Sequence, residues 1–334
     1  MALSDYVHTF GQYLLHQHGE RVHKIALDAG FTCPNRDGSK GIGGCTFCNN
    51  VSFSPNGRTP PSTAEQINKG KRAIFRRTRA RKFLAYFQAY TNTYADVQAL
   101  AAMYDEALRE PDMVGLSIGT RPDCVSDAVL DLLQHYQQQG LIVWLELGLQ
   151  SAFDDTLRRV NRGHGLAEYR DTLLAARSRG IPVCAHLIVG LPGEGEAHCH
   201  ATLDTVLALG VDGLKLHPLH VVKGTMLANE WRRGEYQPLA VEEYIRIAAS
   251  LIERTPAEII YHRVTGTAAE DILLAPAWCA SKWNILNGIE FELARRRTRQ
   301  GSRAGEIFID EKTIGHRDHR GKPNAFIQES AQLA

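Results

Sequence analysis

Residues Phe31–Asn50 read FTCPNRDGSKGIGGCTFCNN and carry three cysteines, Cys33, Cys45 and Cys48, spaced C-x11-C-x2-C. Thiolates on one loop can converge on a single inorganic centre. Gly38, Gly41, Gly43 and Gly44 let the backbone wrap around it without steric strain. Three thiols leave one ligand position to something else. In an iron–sulfur cluster normally held by four thiolates, one iron then stays open to a substrate or cofactor. The alternative is a structural Cys3His zinc site completed by a histidine such as His23. Such sites use tight paired spacings, and no histidine falls inside this loop.

Working outward, the loop runs from about Phe31 to Pro61, long enough for an irregular segment to need a functional reason. A first strand fits 22–30 just ahead of it. Behind it, Ser62 and Glu65 have capping-box spacing after Pro60 and Pro61, so a helix is expected from Ser62 to about Arg81. The alternation then repeats, with strands expected at 83–90, 113–118, 141–148, 182–190 and 213–219, and helices between them. The strands are short and mostly apolar, as in strands covered on both faces by helices. Units of about 33 residues are normal for strand–helix–strand steps, and no GxGxxG follows the first strand to suggest a dinucleotide fold. The class is α/β with a parallel sheet, open or closed into a barrel. Beyond residue 225 the pattern is mixed, with a helix at 240–254, a strand at 257–264 and a helix at 282–299. Three divisions are expected: a core at 20–224, a small C-terminal extension at 225–300 and a loosely held tail at 301–334.

Composition narrows the function classes. Among 334 residues, 38 Lys and Arg balance 37 Asp and Glu, so no global acidic or basic role is expected. No apolar run reaches the ~18 residues of a membrane span. The first residues lack the pattern of a signal peptide, and seven cysteines without one point to a reducing, cytoplasmic setting and to metal or redox chemistry. Four of these, Cys124, Cys184, Cys199 and Cys279, are too scattered to form a second centre.

DAGFTCPNRDG with GGCTFCNN, then AYFQAYTNTYA (85–95), SIGTRPDC (117–124), LELGLQS (145–151) with RVNRGH (159–164), and HLIVGLPGE (186–194) together resemble the radical S-adenosylmethionine (SAM) superfamily. The likeness is greatest to the YhcC/YtqA-type branch, which shares a core with the Elongator catalytic subunit and oxygen-independent coproporphyrinogen oxidase. It covers roughly residues 20–300. The cysteine spacing departs from the common CxxxCxxC, but long first spacings are typical of this branch.

The resemblance implies a partial (β/α)6 barrel with a small mixed C-terminal extension. It also implies an enzyme in which Cys33, Cys45 and Cys48 hold a [4Fe–4S] cluster and SAM chelates the fourth iron. An electron supplied by a low-potential donor would then cleave SAM to a 5′-deoxyadenosyl radical. By position, Phe47 is a candidate to pack on the adenine, and Gln88, Thr91 and Asn92 to bind the methionine end. Asn92 or Thr93 serves equally as a helix cap. A buried carboxylate needs partners, so Glu146, with Gln150, is a candidate for the ribose. The competing reading of Glu146 is a salt bridge to Arg158, Arg159 or Arg162. Ile188 and Gly190 keep the pattern of the adenine-contacting segment, while His186 stands where glycine is usual. His217, His220 and Cys124 are candidates to line a substrate cavity.

Two basic windows bear on the substrate. Lys69, Lys71, Arg72, Arg76, Arg77, Arg79, Arg81 and Lys82 span 69–82 without an acid, and Arg295, Arg296, Arg297, Arg299 and Arg303 span 295–303. Clustered cations on a near-neutral protein suit a phosphate backbone, although either window could be a solvated face. Kinship with tRNA-modifying radical enzymes points the same way. Three readings stay open: a radical SAM enzyme acting on a tRNA base, one acting on a small metabolite, and a non-catalytic RNA-binding protein stapled by zinc.

Overall fold

A computed structural model describes residues 2–49 and 61–305. Residues 50–60 of the long loop, with Pro60, lie outside them. The chain opens with α1 (Phe10–His18) and β1 (Val22–Leu27). Alternation follows as α2 (Thr63–Thr78), β2 (Lys82–Phe87), α3 (Val97–Arg109), β3 (Met113–Thr120), α4 (Asp127–Gln138) and β4 (Ile142–Gln150). Next come α5 (Asp154–Arg159), α6 (Leu166–Ser178), β5 (Val183–Val189), α7 (Glu196–Ala208) and β6 (Gly213–Pro218). The rest is β7 (Val221–Val222), α8 (Met226–Arg232), α9 (Val241–Arg254), β8 (Ile260–Arg263), β9 (Leu273–Ala275) and α10 (Lys282–Arg296). The capping box read at Ser62 is present, with Ser62 accepting from the Glu65 amide and Glu65 reaching back to the Ser62 amide.

All six expected core strands lie side by side and parallel, in the order β1-β2-β3-β4-β5-β6. A seventh, β8, joins parallel to β6. It comes from the strand expected at 257–264, so this part of the C-terminal segment completes the sheet. The sheet is curled. Lys24 Nζ on β1 lies 3.0 Å from His262 Nδ1 on β8, although these strands are its two edges.

The outward faces of the strands and the inner faces of the helices form one continuous apolar core, including Ile25, Leu27, Phe87, Leu116, Ile118, Leu145, Leu187 and Leu216. The interior at the strands' N-terminal ends, the foot of the barrel, is plugged by a second apolar group. Val22, Leu84, Trp144, Cys184 and Ile260 meet Phe10 and Leu14 of α1 there. Thr9 lies alongside Tyr261, whose amide donates to the His8 carbonyl at 2.9 Å, so the N-terminal segment bridges the open seam.

At residue 301, where the tail is expected to begin, the chain is docked on the barrel. Gln300 is buried, its amide donates to Tyr6 O at 2.9 Å, and its side chain spans His8, Pro256 and Ile259. Arg303 N donates to Glu253 O at 2.8 Å. Docked hydrogen bonds therefore carry the chain through this turn, while residues 306–334 lie outside the described residues.

Candidate cofactor site and barrel interior

The cysteine loop lies at the C-terminal ends of the strands, directly after β1. Backbone and amide contacts hold the loop, alongside the apolar packing of Phe47. Thr46 N donates to Val160 O at 3.0 Å, and Leu227 N donates to Thr46 O at 2.9 Å. Asn161 Nδ2 donates to Gly44 O at 2.8 Å, and Asn35 donates back to the Asn161 carbonyl. Gly44, at φ +79°, leaves room for the Arg36 side chain, which a Cβ there would meet at 2.7 Å. The RVNRGH segment is thus the latch of this loop.

Three guanidinium groups surround the thiols. Arg162 Nη1 lies 3.5 Å from Cys45 Sγ while Nη2 donates to Gly148 O at 2.6 Å. Arg36 donates to the Cys48 carbonyl at 2.5 Å. Arg121, braced by Asp123 at 2.9 Å, lies within electrostatic reach of both Cys33 and Cys45. The Cys48 thiol is pushed up to about 11, first by burial and then by the charge of Cys45, with Arg36 and Arg162 opposing. Binding a metal there would therefore release its proton. Cations and N–H donors around sulfur suit a thiolate-ligated cluster that carries net negative charge. Several buried polar atoms in this region have no protein partner: Asn35 Oδ1, Thr91 Oγ1, Asn92 Oδ1 and Arg162 Nε. Their open valences fit a bound polar group. Among the described residues, no three His, Cys, Asp or Glu side chains gather closely enough to hold a single metal ion. A four-iron cluster asks for less, since each thiolate grips a different iron. His23, named above as a fourth zinc ligand, sits low on β1 near Arg21 and Arg77, away from the loop.

The other expected cofactor residues fall into three groups. Thr91 abuts the cysteine loop through its amide, 3.3 Å from Thr32 O, and Gln88 follows β2 directly. Asn92 donates to Gly119 O at 2.7 Å and does not cap the next helix; Asp96 does. Phe47 and Ile188 pack on one apolar group with Val160, Leu191 and Tyr236, as an aromatic ring sandwich would require. Gly190, at φ +93°, has its carbonyl bonded by Tyr236 at 2.8 Å. Gln150 ends β4 at φ +81°, a left-handed conformation rare for a residue other than glycine and concentrated at functional sites. Beside it are Ile188 and Glu194, lining one narrow cleft.

Glu146 requires a correction on both earlier readings. It is fully buried, and none of Arg158, Arg159 or Arg162 reaches it; these pair with Asp155, Glu230, and Gly148 with Cys45. Instead one oxygen accepts from Lys24 and from Ser117 Oγ at 2.6 Å, with His262 Nδ1 3.3 Å away. The other accepts from Tyr86 at 3.1 Å, His186 at 2.6 Å and Lys215 at 3.0 Å. With both oxygens saturated, Glu146 has no acceptor left for a ribose. Six strands besides its own contribute to this layer, which sits in mid-barrel above the apolar plug. Burial opposes the charge on Glu146, but Lys215 and Lys24 overcome it and hold its pKa well below the usual carboxylate range. Isolated lysines in the apolar stretches VHKIAL and GLKLHP were the sequence signal for this network, and composition alone did not connect them.

The basic windows lie at the opposite end from the thiols. Helix α2 descends from the loop to the start of β2, so Arg76, Arg77, Arg79 and Arg81 reach the foot of the barrel, and Arg77 comes near His23 there. Lys69, Arg72, Arg76, Arg77, Arg79 and Arg81 are exposed, whereas Lys71 bonds the Pro111 carbonyl and Lys82 pairs with Asp112 at 3.8 Å. In the second window, Arg295 and Arg296 are tied to Glu292, and Arg296 and Arg303 to Glu253. Neither window rims the mouth.

A family model for the radical SAM superfamily matches residues 33–206, and one for the radical SAM C-terminal domain matches 211–295. Protein YhcC of Escherichia coli (strain K12) is 52% identical over 283 residues, covering 85% of this chain and 91% of the relative. YtqA of Bacillus subtilis (strain 168) is 37% identical over 295 residues, covering 88% and 91%. Among solved structures, the archaeal Elp3 of Methanocaldococcus infernus superposes with a TM-score of 0.60 at 19% identity, over 84% of this chain and 64% of that one, and shares the fold. These matches, with the thiols held at the mouth of a parallel barrel, overturn the reading as a non-catalytic zinc-stapled protein. The chain belongs to the radical SAM superfamily, whose enzymes bind a [4Fe–4S] cluster and SAM.

Proposed function

We propose that this radical SAM enzyme acts on a base of RNA, with tRNA as its substrate class. The observation that carries the reading is the cationic stretch of α2 and the turn after it, where Lys69, Arg72, Arg76, Arg77, Arg79 and Arg81 are exposed with no acid between residues 69 and 82. Their placement also bears on the ligand's size. A six-residue strand spans ~20 Å, so a ligand that touches the foot of α2 and also reaches the mouth is long and polyanionic. A nucleic acid meets that description and a small metabolite does not. Single-stranded loops present unstacked bases without duplex opening.

In this reading Cys33, Cys45 and Cys48 hold the cluster, with Arg36, Arg121 and Arg162 balancing its charge. Phe47 and Ile188 flank an adenine, and Gln88, Thr91, Asn92 and Gln150 offer polar groups to the rest of SAM. When bound, the cluster and SAM would supply radical chemistry at the mouth. The barrel wall keeps water from it. A low-potential electron donor docks at that same end, and cysteines held outside any disulfide suit a reducing compartment such as the cytoplasm. Among the described residues no helix is long and apolar enough to cross a membrane. The test is a comparison of nucleosides from total tRNA of a strain lacking the protein with those of the wild type. A modified nucleoside missing from the deletion strain supports the reading, and identical profiles count against it.

A further inference from the structure

The barrel interior above the Glu146 layer is an open chamber. Outward-facing Ile25, Leu27, Phe87, Leu187, Val189 and Leu216 are no more than 3% exposed. Their inward-facing neighbours Lys24, Ala26, Gln88, His186, Ile188 and His217 all keep accessible surface. Helices cover the outside of the sheet, so this surface faces the interior. At its upper level β3 and β4 present Gly119 and Gly148, and the Arg162 guanidinium takes the space beside Gly148, where a Cβ would meet it at 2.5 Å.

The floor of that chamber is electrically unbalanced. Two ammonium groups, Lys24 and Lys215, share one carboxylate, Glu146. Arg263, at the end of β8, adds to the field and helps depress both Lys215 and His217. The three histidines supply no negative charge, and burial keeps His186 and His262 neutral near pH 7. Lys215 lies behind the layer, whereas the side chains of Lys24 and His186 each keep 18% of their surface. His186 spends its one N–H, on Nε2, on Glu146, so Lys24 is the donor that faces the chamber. A positive charge in a confined space draws an anion.

We propose that the chamber floor binds the acid group, carboxylate or phosphate, of a small second reactant, held by Lys24 over the field of Lys215. The site lies about two residues, ~7 Å, below the level of Gln88 and Ile188. Its occupant would therefore sit beneath SAM. This goes beyond the RNA reading, because the phosphates of an RNA gripped at α2 lie outside the barrel. The enzyme would bring together a nucleic acid from outside and a small acid from within.

The test is saturable binding of two probes, inorganic phosphate and [13C]acetate, to the anaerobic cluster-loaded protein, followed by 31P and 13C line broadening. One probe should saturate, and which one does distinguishes a phosphate from a carboxylate occupant. Lys24→Met should weaken that binding by about tenfold or more, the size of one charge-assisted hydrogen bond, while Lys24→Arg retains it. Should Lys24→Met not fold, Lys24→Gln decides, with a loss in the same direction expected. Saturation by neither probe overturns the proposal, as does wild-type affinity in the variant that folds. Such a failure leaves the RNA reading intact, because tRNA binding at the α2 face does not use Lys24.

Discussion

Lys215 Nζ and Glu146 Oε2 lie 3.0 Å apart inside the barrel, joined across the intervening strand β5 whose His186 bonds the same oxygen. Burial depresses Lys215 to about 8, more than the nearby carboxylate raises it. The pair is therefore weak evidence for stability as it stands, but removal of one partner is costly. Glu146→Ala strands two ammonium groups and should cost ~3–5 kcal/mol in urea denaturation. A variant as stable as the wild type would show that the layer is not the closed network described above.

Replacing Cys33, Cys45 or Cys48 by Ala, one at a time, should abolish the visible absorbance of the reconstituted protein and leave its circular dichroism unchanged. Cys124→Ala and Cys279→Ala should keep the absorbance. If either of these loses it, the ligand set is misassigned.

Acid should destabilise the fold before its carboxylates titrate. Burial, followed by Lys215 for His186, Arg263 for His220 and Lys24 for His262, lowers these histidines from 6.5 to about 4, about 4 and about 3, with Glu146 opposing at His186 and His262. Between pH 6.5 and about 4 the unfolded chain binds protons that the folded chain refuses. Stability is thus full above pH 6.5 and falls as the pH drops toward 4. His220→Gln should remove one such proton and flatten the slope by ~1.4 kcal/mol per pH unit mid-window. Urea midpoints at pH 7, 6 and 5 check this, and an unchanged slope would return His220 to an ordinary exposed value.

Gly115→Ala should be among the most damaging single-methyl additions. A Cβ there would lie 2.0 Å from the Ile142 carbonyl oxygen, and that atom is backbone of the paired strand β4. Since neither strand can yield without breaking the ladder, a loss of about 3 kcal/mol or more is expected. Thermal denaturation within a few degrees of wild type would contradict the close approach of β3 and β4.

Binding of tRNA should weaken steeply with salt. Arg76→Gln, Arg77→Gln and Arg79→Gln together should lower the log–log slope by about 2–3, one released counterion per lost phosphate contact. SAM cleavage without RNA should be unchanged, because these arginines lie at the foot of the barrel, opposite the cysteine loop. Wild-type protein without salt-sensitive tRNA binding would remove the RNA reading.

The parallel strands and the thiol loop were legible because each announces itself locally. Buried parallel strands are continuous apolar runs, and C-x2-C among glycines is a poor core segment. What could not be read is what depends on closure. Lys24 and Glu146 are 122 positions apart, and Lys215 and Glu146 are 69 apart, so nothing local says that they meet. Read singly, Glu146 looks like a residue waiting for a ligand. In the barrel it is the counter-ion of two lysines. For α2 the sequence showed a charged face but not its height on the barrel, which follows from a descending crossover helix. Strand β8 was visible as a short apolar run, yet its partner was not, because β6 and β8 are separated by α8, α9 and the short strand β7.

The seam bridged by Thr9 and Tyr261 also sets an order of events during synthesis. The cysteine loop leaves the ribosome early, but the strand that takes its place beside residue 9 emerges about 200 residues later, roughly 10–40 s at ordinary elongation rates. Through that interval the N-terminal plug has only one flank to hold, and the three thiols belong to a barrel that cannot yet shut. Until β8 docks beside residue 9, the sheet behind the cysteine loop stays open along that edge.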